Sequence, residues 1–167
     1  MHPLLAEIAR FLPWCWFVNM SLTVFGYASR VFPWIGRHDW PLDAKMRLAD
    51  RHRLLGDSTT LGGLIVVLML GAAGAAAWPG LHFFSYSALV YAGHALGSFA
   101  KRRLGVPRGA FVPFVDHGDY VIVAGVYAYA IGAFSLPGLL LSYLATIAVT
   151  PAITWAAHAL RIRERAL

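Results

Sequence analysis

Lys101, Arg102 and Arg103 form one run of fixed positive charge at the end of an apolar stretch, and Asp116 and Asp119 follow downstream, three positions apart. Guanidinium groups make forked contacts with phosphate oxygens, so the basic run, extended by Arg108, suits a polyphosphate. Carboxylates at a spacing of three share one face of a helix. Held close, they repel unless a proton or cation lies between them, and a hard metal such as Mg²⁺ meets that need. Both features also have plainer uses. A basic run beside an apolar segment anchors anionic headgroups, and acidic residues cap a helix N-terminus. The occurrence of both signs of charge together at one membrane edge favours phosphate chemistry. Gly105 and Gly109 permit close backbone approach or a turn, and Pro107 and Pro113 argue for a shaped loop before the carboxylates.

A second polar segment precedes a different apolar stretch. It contains Pro41-Leu42-Asp43 and then Asp50-Arg51-His52-Arg53, Gly56-Asp57 and Ser58-Thr59-Thr60. Asp57 offers a third oxygen ligand for a metal or, alternatively, an N-cap. Thr59, Thr60, Gly62 and Gly63 read as packing or cap residues. Asn19 and His94 lie inside apolar stretches, where polar groups are expensive and often functional. For Asn19 an interhelical hydrogen bond is the competing use.

The elements that must position these groups are apolar helices. Of 167 residues, 59% are hydrophobic and 13% charged, which is too little polar surface for a soluble domain of this size. A helix needs about 20 apolar residues to cross the hydrocarbon core. The sequence predicts five such spans: Phe11 to Trp34, Leu61 to Trp78, Phe83 to Phe99, Tyr120 to Phe134, and a fifth from Pro137-Gly138 to Leu160 with a kink expected at Pro151. The expected architecture is an all-α integral membrane protein with five transmembrane helices, multi-pass in the cell membrane, with residues 1–167 as one domain. The basic residues of 36–57, of 101–108 and of the tail (Arg161, Arg163, Arg165) all fall on one side of five spans, while the two Pro-Gly turns carry none. The positive-inside rule then puts the N-terminus outside and the C-terminus in the cytoplasm.

Other function classes fare worse. A net charge of +6 suggests nucleic acid in isolation, but the basic residues are interleaved with apolar segments and no RNA- or DNA-binding pattern accompanies them. Cys15 is the only cysteine, which excludes an internal disulfide. The N-terminal stretch lacks the basic flank and small-residue cleavage pattern of a signal peptide, so it reads as a retained span.

From Leu12-Pro13 and Asn19-Met20, through Pro41-Leu42-Asp43 and Asp50 to Gly63, and on through Gly93 to Asp119, the chain resembles the CDP-archaeol synthase family, relatives of the phosphatidate cytidylyltransferases. The stretch Ser98-Phe99-Ala100-Lys101-Arg102-Arg103-Leu104-Gly105, followed by Asp116 and Asp119, carries the resemblance most specifically. It implies a five-span membrane enzyme that joins CTP to a phosphatidic-acid-type lipid, ether-linked in archaea, forming a CDP-activated lipid and pyrophosphate with Mg²⁺ assisting. By that resemblance Asp116 and Asp119 are the metal-associated carboxylates, Lys101, Arg102 and Arg103 are the basic motif, and Gly56 and Asp57 match the earlier motif, Asp57 remaining the candidate third metal ligand. Asp50 and Arg53 belong to the earlier motif, and together with Ser98, Arg108, His94 and Asn19 they are the expected substrate contacts. The chain departs from the family pattern at His94, where the family usually has Asp, at Thr59, where it has Lys, and at Gly62, where it has Arg.

The resemblance implies that a lipid phosphate oxygen attacks the α-phosphorus of CTP, so no side-chain nucleophile is needed. The expected partners are CTP or a related nucleotide, the lipid substrate and surrounding membrane lipids; a homo-oligomer is left open. The departures support a competing reading, a catalytically inactive lipid-binding membrane protein or assembly factor, against which the Asp116/Asp119 pair weighs. A small-solute transporter ranks third, because five spans do not divide into equal halves.

Overall fold

The computed structural model describes residues 2–106, 112 and 115–162, with the helical backbone but not the side chains of residues 115–117. Arg108, Gly109, Pro107, Pro113, Arg163 and Arg165, and the side chain of Asp116, lie outside the described residues.

Six helices make up the described part of the chain: α1 (Pro3–Val31), α2 (Pro33–His38), α3 (Leu61–Ala77), α4 (Phe83–Arg103), α5 (Val115–Ala130) and α6 (Leu136–Ala159). Local sequence accounts for their ends. Pro3, Pro33 and Pro137 stand in the first turns of α1, α2 and α6, where a missing N–H costs nothing. Thr60 caps α3 by accepting from the Gly63 amide at 3.1 Å, and Ser135 caps α6 by accepting from the Gly138 amide at 3.2 Å. Between α3 and α4 the chain turns through Gly80, whose φ of +90° suits a residue without Cβ.

Helix α4 lies at the centre, against α1, α3 and α5. Val18, Val67, Val90, Val121 and Ala124 are fully buried where these helices meet. Gly93 and Gly97, one helical turn apart, let α5 come close. A Cβ on Gly93 would sit 2.5 Å from Tyr120 Cα, and one on Gly97 would overlap the Asp119 carboxylate. This small-x-x-x-small spacing is the usual device for close helix approach in an apolar medium. Indole N–H groups inside the bundle find hydroxyl partners: Trp14 Nε1 donates to Ser87 Oγ and Trp16 Nε1 to Thr146 Oγ1, each at 3.0 Å.

The count of five spans is corrected. Among the described residues only α1 and α6 are both long and apolar enough to cross a membrane; α3 is apolar but shorter. Helix α3 has 17 residues and α5 has 16, which at 1.5 Å per residue reach about 25 Å, short of a hydrocarbon core of about 30 Å. Helix α4 has the length, but Ser85, Ser87, His94 and Ser98 along it leave it less apolar than α1 or α6, and Lys101, Arg102 and Arg103 occupy its last turn. Helix α5 begins at Val115 rather than Tyr120, so the acidic residues belong to its first turns. Helix α1 also starts earlier than expected, taking in Arg10, and ends before Phe32, beyond which α2 is separate. An orientation deduced from an odd number of crossings loses its basis with the count.

Candidate active site

Residues 39–60 fold as a compact loop whose own carboxylates shape it. Asp43 and Asp50 each accept the amide of the residue two positions on, Lys45 and His52, at 3.0 Å. These local turns are the ones Asp forms most readily. They allow Ala44, Lys45 and Arg51 to adopt positive φ. Short bridges pair Pro41 with Thr60 and Arg47 with Arg53, closing the loop at its base and its tip.

Asp43 is the anchor of that loop. Its side chain is buried, and besides Lys45 it accepts the Leu55 amide at 2.9 Å and the Arg53 guanidinium at 2.5 and 3.3 Å. Burial by itself pushes the Asp43 carboxyl up, but the Arg53 contact and the two amides outweigh it and leave it below the ordinary carboxylate range. Arg53 also pairs with Asp57, four residues on. Asp39, at the start of the loop, accepts the Gly62 amide at 3.0 Å and so ties the loop to α3. A side chain on Gly62 would run into Asp39 and Phe25.

The loop is clasped to the end of α4. Ser98 Oγ accepts the Gly56 amide at 2.8 Å. Arg103 pairs with Asp50, donates to the Arg53 carbonyl and lies over the Phe99 ring, 5.2 Å from its centroid. Asp50 feels partial burial, which raises its pKa, and the His52 amide and Arg103, which lower it further; the net direction is down. Arg102, beside Arg103, is half-buried, and its Nε is enclosed without a hydrogen-bond partner, as is the Nε of Arg103. Thr59 Oγ1 is likewise enclosed and unpartnered.

Asp119 lies across from this end of α4, its carboxylate against Gly97 and its Oδ1 accepting the Tyr120 amide at 2.7 Å. His94, Gly97, Ser98 and Lys101 recur at helical spacing along one side of α4. The fold thus gathers His94, Ser98, Lys101, Arg103, Asp50 and Arg53 around α4, with Asp119 facing Gly97. Asp57 is drawn in through Arg53. Asn19, half-buried in α1, makes no side-chain hydrogen bond among the described residues. No group of three His, Cys, Asp or Glu positioned for a metal occurs among the described residues.

Two contributions escaped the sequence reading. Asp43 was visible in Pro41-Leu42-Asp43, but only the contact with Arg53, ten residues away, shows it as the loop's anchor. The Gly93/Gly97 pair had a readable signal in its spacing.

A loop clasped by carboxylates thus lies over a basic helix end, with an acidic residue facing it from the next helix. Residues 79–166 match the CarS-like family of CDP-archaeol synthases. The CDP-archaeol synthase of Methanopyrus kandleri is 34% identical, over 84% of this chain and 82% of its own length. That of Pyrococcus furiosus is 30% identical, over 99% of this chain and 96% of its own. A solved structure described as an intramembrane enzyme for archaeal membrane lipids biosynthesis aligns with a TM-score of 0.58 at 27% identity, covering 81% of this chain and 90% of that one. The chain belongs to the CDP-archaeol synthase family. Membership makes it a membrane-associated nucleotidyltransferase of lipid metabolism, in a family that performs CTP-dependent cytidylyl transfer to give a CDP-activated lipid.

Proposed function

We propose that this chain transfers the cytidylyl group of CTP to the phosphate of a phosphatidic-acid-type lipid at the corner between α4, α5 and the 39–60 loop. The lipid phosphate oxygen forms a bond to the α-phosphorus, and the bond from that phosphorus to the bridging oxygen of the β-phosphate breaks. Pyrophosphate leaves with the electron pair. The observation that carries this reading is Arg102, a half-buried arginine beside Lys101 whose side chain, unlike that of Arg103, has no ion pair or hydrogen bond among the described residues, while Asp119 faces the same helix from α5.

The residues divide the work. Lys101 and Arg102 bind the polyphosphate and offset charge that develops on it. Arg103, committed to Asp50 and the Arg53 carbonyl, holds the loop in place over that site, and Ser98 supports the loop through the Gly56 amide. Asp43 keeps Arg53 and the loop backbone in register. His94 lies along the same side of α4 toward the bundle interior and contacts the substrate there. Arg108 adds positive charge from the α4–α5 connection. Asn19 is a lipid contact from α1.

Mg²⁺ fits the donor set in a limited way. Asp119 and Asp116 are three residues apart on α5 and would hold it, with substrate oxygens completing its shell, as this ion prefers. Asp57 joins only by exchanging its contact with Arg53. The ion would polarise the α-phosphate and stabilise the departing pyrophosphate. The helices α1 and α6 provide two crossings, making the chain multi-pass, so that the lipid stays in the bilayer while its headgroup reaches the site.

Radiolabelled CTP incubated with purified protein, Mg²⁺ and a panel of ester- and ether-linked phosphatidic acids tests the proposal. A CDP-lipid product is expected, lost when EDTA is added. Binding of lipid without any turnover across the panel would overturn it in favour of the lipid-binding reading that the departures at His94, Thr59 and Gly62 support.

A further inference from the structure

At the end of the bundle opposite the 39–60 loop, α1 passes the α3–α4 turn and leaves a groove of about 470 Å³. Trp14, Phe17, Trp78 and Phe83 line it, with Ala9 and Arg10 on the α1 side. Its floor is firmly built. Trp14 stacks on Phe83 with centroids 4.2 Å apart, and Trp78 meets Phe83 edge-on at 6.0 Å. Gly74 makes room for the Trp14 ring, since a Cβ there would lie 2.5 Å from it, and the Ser87 hydroxyl holds the indole N–H. The walls face outward along α1, one of the two helices suited to crossing a membrane.

Arg10 gives the groove a chemical sign. An ionised side chain on a membrane helix is costly unless it reaches an anion or the headgroup layer. Glu7, one turn away, is committed elsewhere: it accepts the Ser135 amide at 3.1 Å and the Ser135 hydroxyl at 2.6 Å. Among the described residues Arg10 has neither ion pair nor hydrogen bond. Trp78, just past the end of α3, sits where indole rings favour the headgroup level. An exposed guanidinium without a partner among the described residues and an aromatic channel leading away from it match the two halves of one molecule.

We propose that this groove binds an anionic glycerophospholipid, with its phosphate at Arg10 and one hydrocarbon chain along Trp14 and Phe17. The lipid is a bound companion of the fold rather than a substrate, because the groove lies at the far end of the bundle from Lys101, Arg102 and Asp119. The inference does not depend on the reaction proposed above.

Native mass spectrometry of the full chain with phosphatidylglycerol or phosphatidylcholine of identical chains tests it. Phosphatidylglycerol has no phosphate monoester, so it is not an acceptor for cytidylyl transfer. Retention of phosphatidylglycerol over phosphatidylcholine by about fivefold is expected for one headgroup-level cation. Arg10→Gln should bring that ratio to near one, and Arg10→Lys should keep most of it. Ala9→Trp, which fills the groove and leaves Arg10 in place, should reduce retention of both lipids, and it carries the test should Arg10→Gln fail to fold. Phosphatidylglycerol bearing a photoreactive chain should label residues 9–17 or 78–83. Equal retention of the two lipids by the unaltered protein, undiminished preference in Arg10→Gln, undiminished retention in Ala9→Trp, or labelling confined to other segments or to a second protein chain would each overturn the proposal.

Discussion

The two ends of the bundle treat charge in opposite ways. Where residues 39–60 cover α4, carboxylates and guanidinium groups are matched inside the protein: Asp43 and Asp57 hold Arg53, and Asp50 holds Arg103. At the far end, aromatic rings build the surface and, among the described residues, Arg10 pairs with no carboxylate. A matched cation stiffens the protein, whereas an unmatched one remains available to a ligand, as proposed for Arg102 and Arg10. The same contrast recurs over a single residue at the charged end, between Arg103, whose terminal nitrogens are committed to Asp50 and the Arg53 carbonyl, and Arg102, whose side chain has no ion pair or hydrogen bond among the described residues.

The contrast breaks most sharply at Asp43. Asp43→Asn strips the buried charge that Arg53 faces, and removing one partner of a buried pair is strongly destabilising. Arg53 keeps 20% of its side chain exposed, so the expected cost is at the low end, about 3 kcal/mol. Hydrogen exchange should show faster exchange at Leu55 and across the loop, with α3 and α6 unchanged. Unchanged protection of the loop would mean that the matched pairs do not stiffen it. Acid probes the same contact. The Asp43 carboxyl is held below its ordinary value by Arg53 and two amides against the opposing effect of burial. Its contribution to stability is thus fully present above the unfolded pKa of about 3.9. It is lost as pH falls through the lower folded value, so the loop should stay clasped down to about pH 4. Loosening near pH 6, seen by exchange at Leu55, would contradict that direction.

Asp119 sharpens the comparison from the ligand side. Asp119→Asn keeps the size and the hydrogen bond to the Tyr120 amide but removes the anion that a hard metal requires. Cytidylyl transfer should fall on the order of 10²-fold or more, with the melting temperature nearly unchanged and the loss greatest at limiting Mg²⁺. Near-full turnover in this variant would leave Asp119 with only a structural role. Gly97→Ala should reproduce part of the loss, because its Cβ would displace the Asp119 carboxylate.

Much of this corner was legible in the residues themselves. The basic run, the spacing of Asp116 and Asp119, and the polar segment from Asp50 to Thr60 all fall at one end of the bundle, and Pro137 marks the start of α6 as its place in the sequence suggests. Two things were not legible. The number of crossing helices was overcounted because hydropathy registers apolar composition, while crossing also requires length; α3 and α5 end too soon. The division of labour among arginines was hidden because it depends on partners far away in sequence, Asp50 for Arg103 and Asp43 for Arg53. Local pattern identifies which groups carry charge, and only packing decides which of those charges are already satisfied.

The finest test separates Arg102 from Arg103. If Arg102 binds polyphosphate, Arg102→Gln should lower kcat/KM for CTP by about 10- to 100-fold, as expected when a charge-assisted contact of roughly 1.5–3 kcal/mol is lost, while loop protection stays intact. Arg103→Gln should act through the loop instead. Its activity loss should be several-fold smaller and accompanied by faster exchange around Gly56, because the pair with Asp50 and the bond to the Arg53 carbonyl are released together. Asp50→Asn should mimic Arg103→Gln, and the double variant should be little worse than either single one, since both remove the same contact. Additive losses in that cycle would place Arg103 on the substrate independently of Asp50. Equal loop protection in Arg103→Gln and Arg102→Gln would erase the distinction between a committed and an uncommitted cation at this end of the molecule.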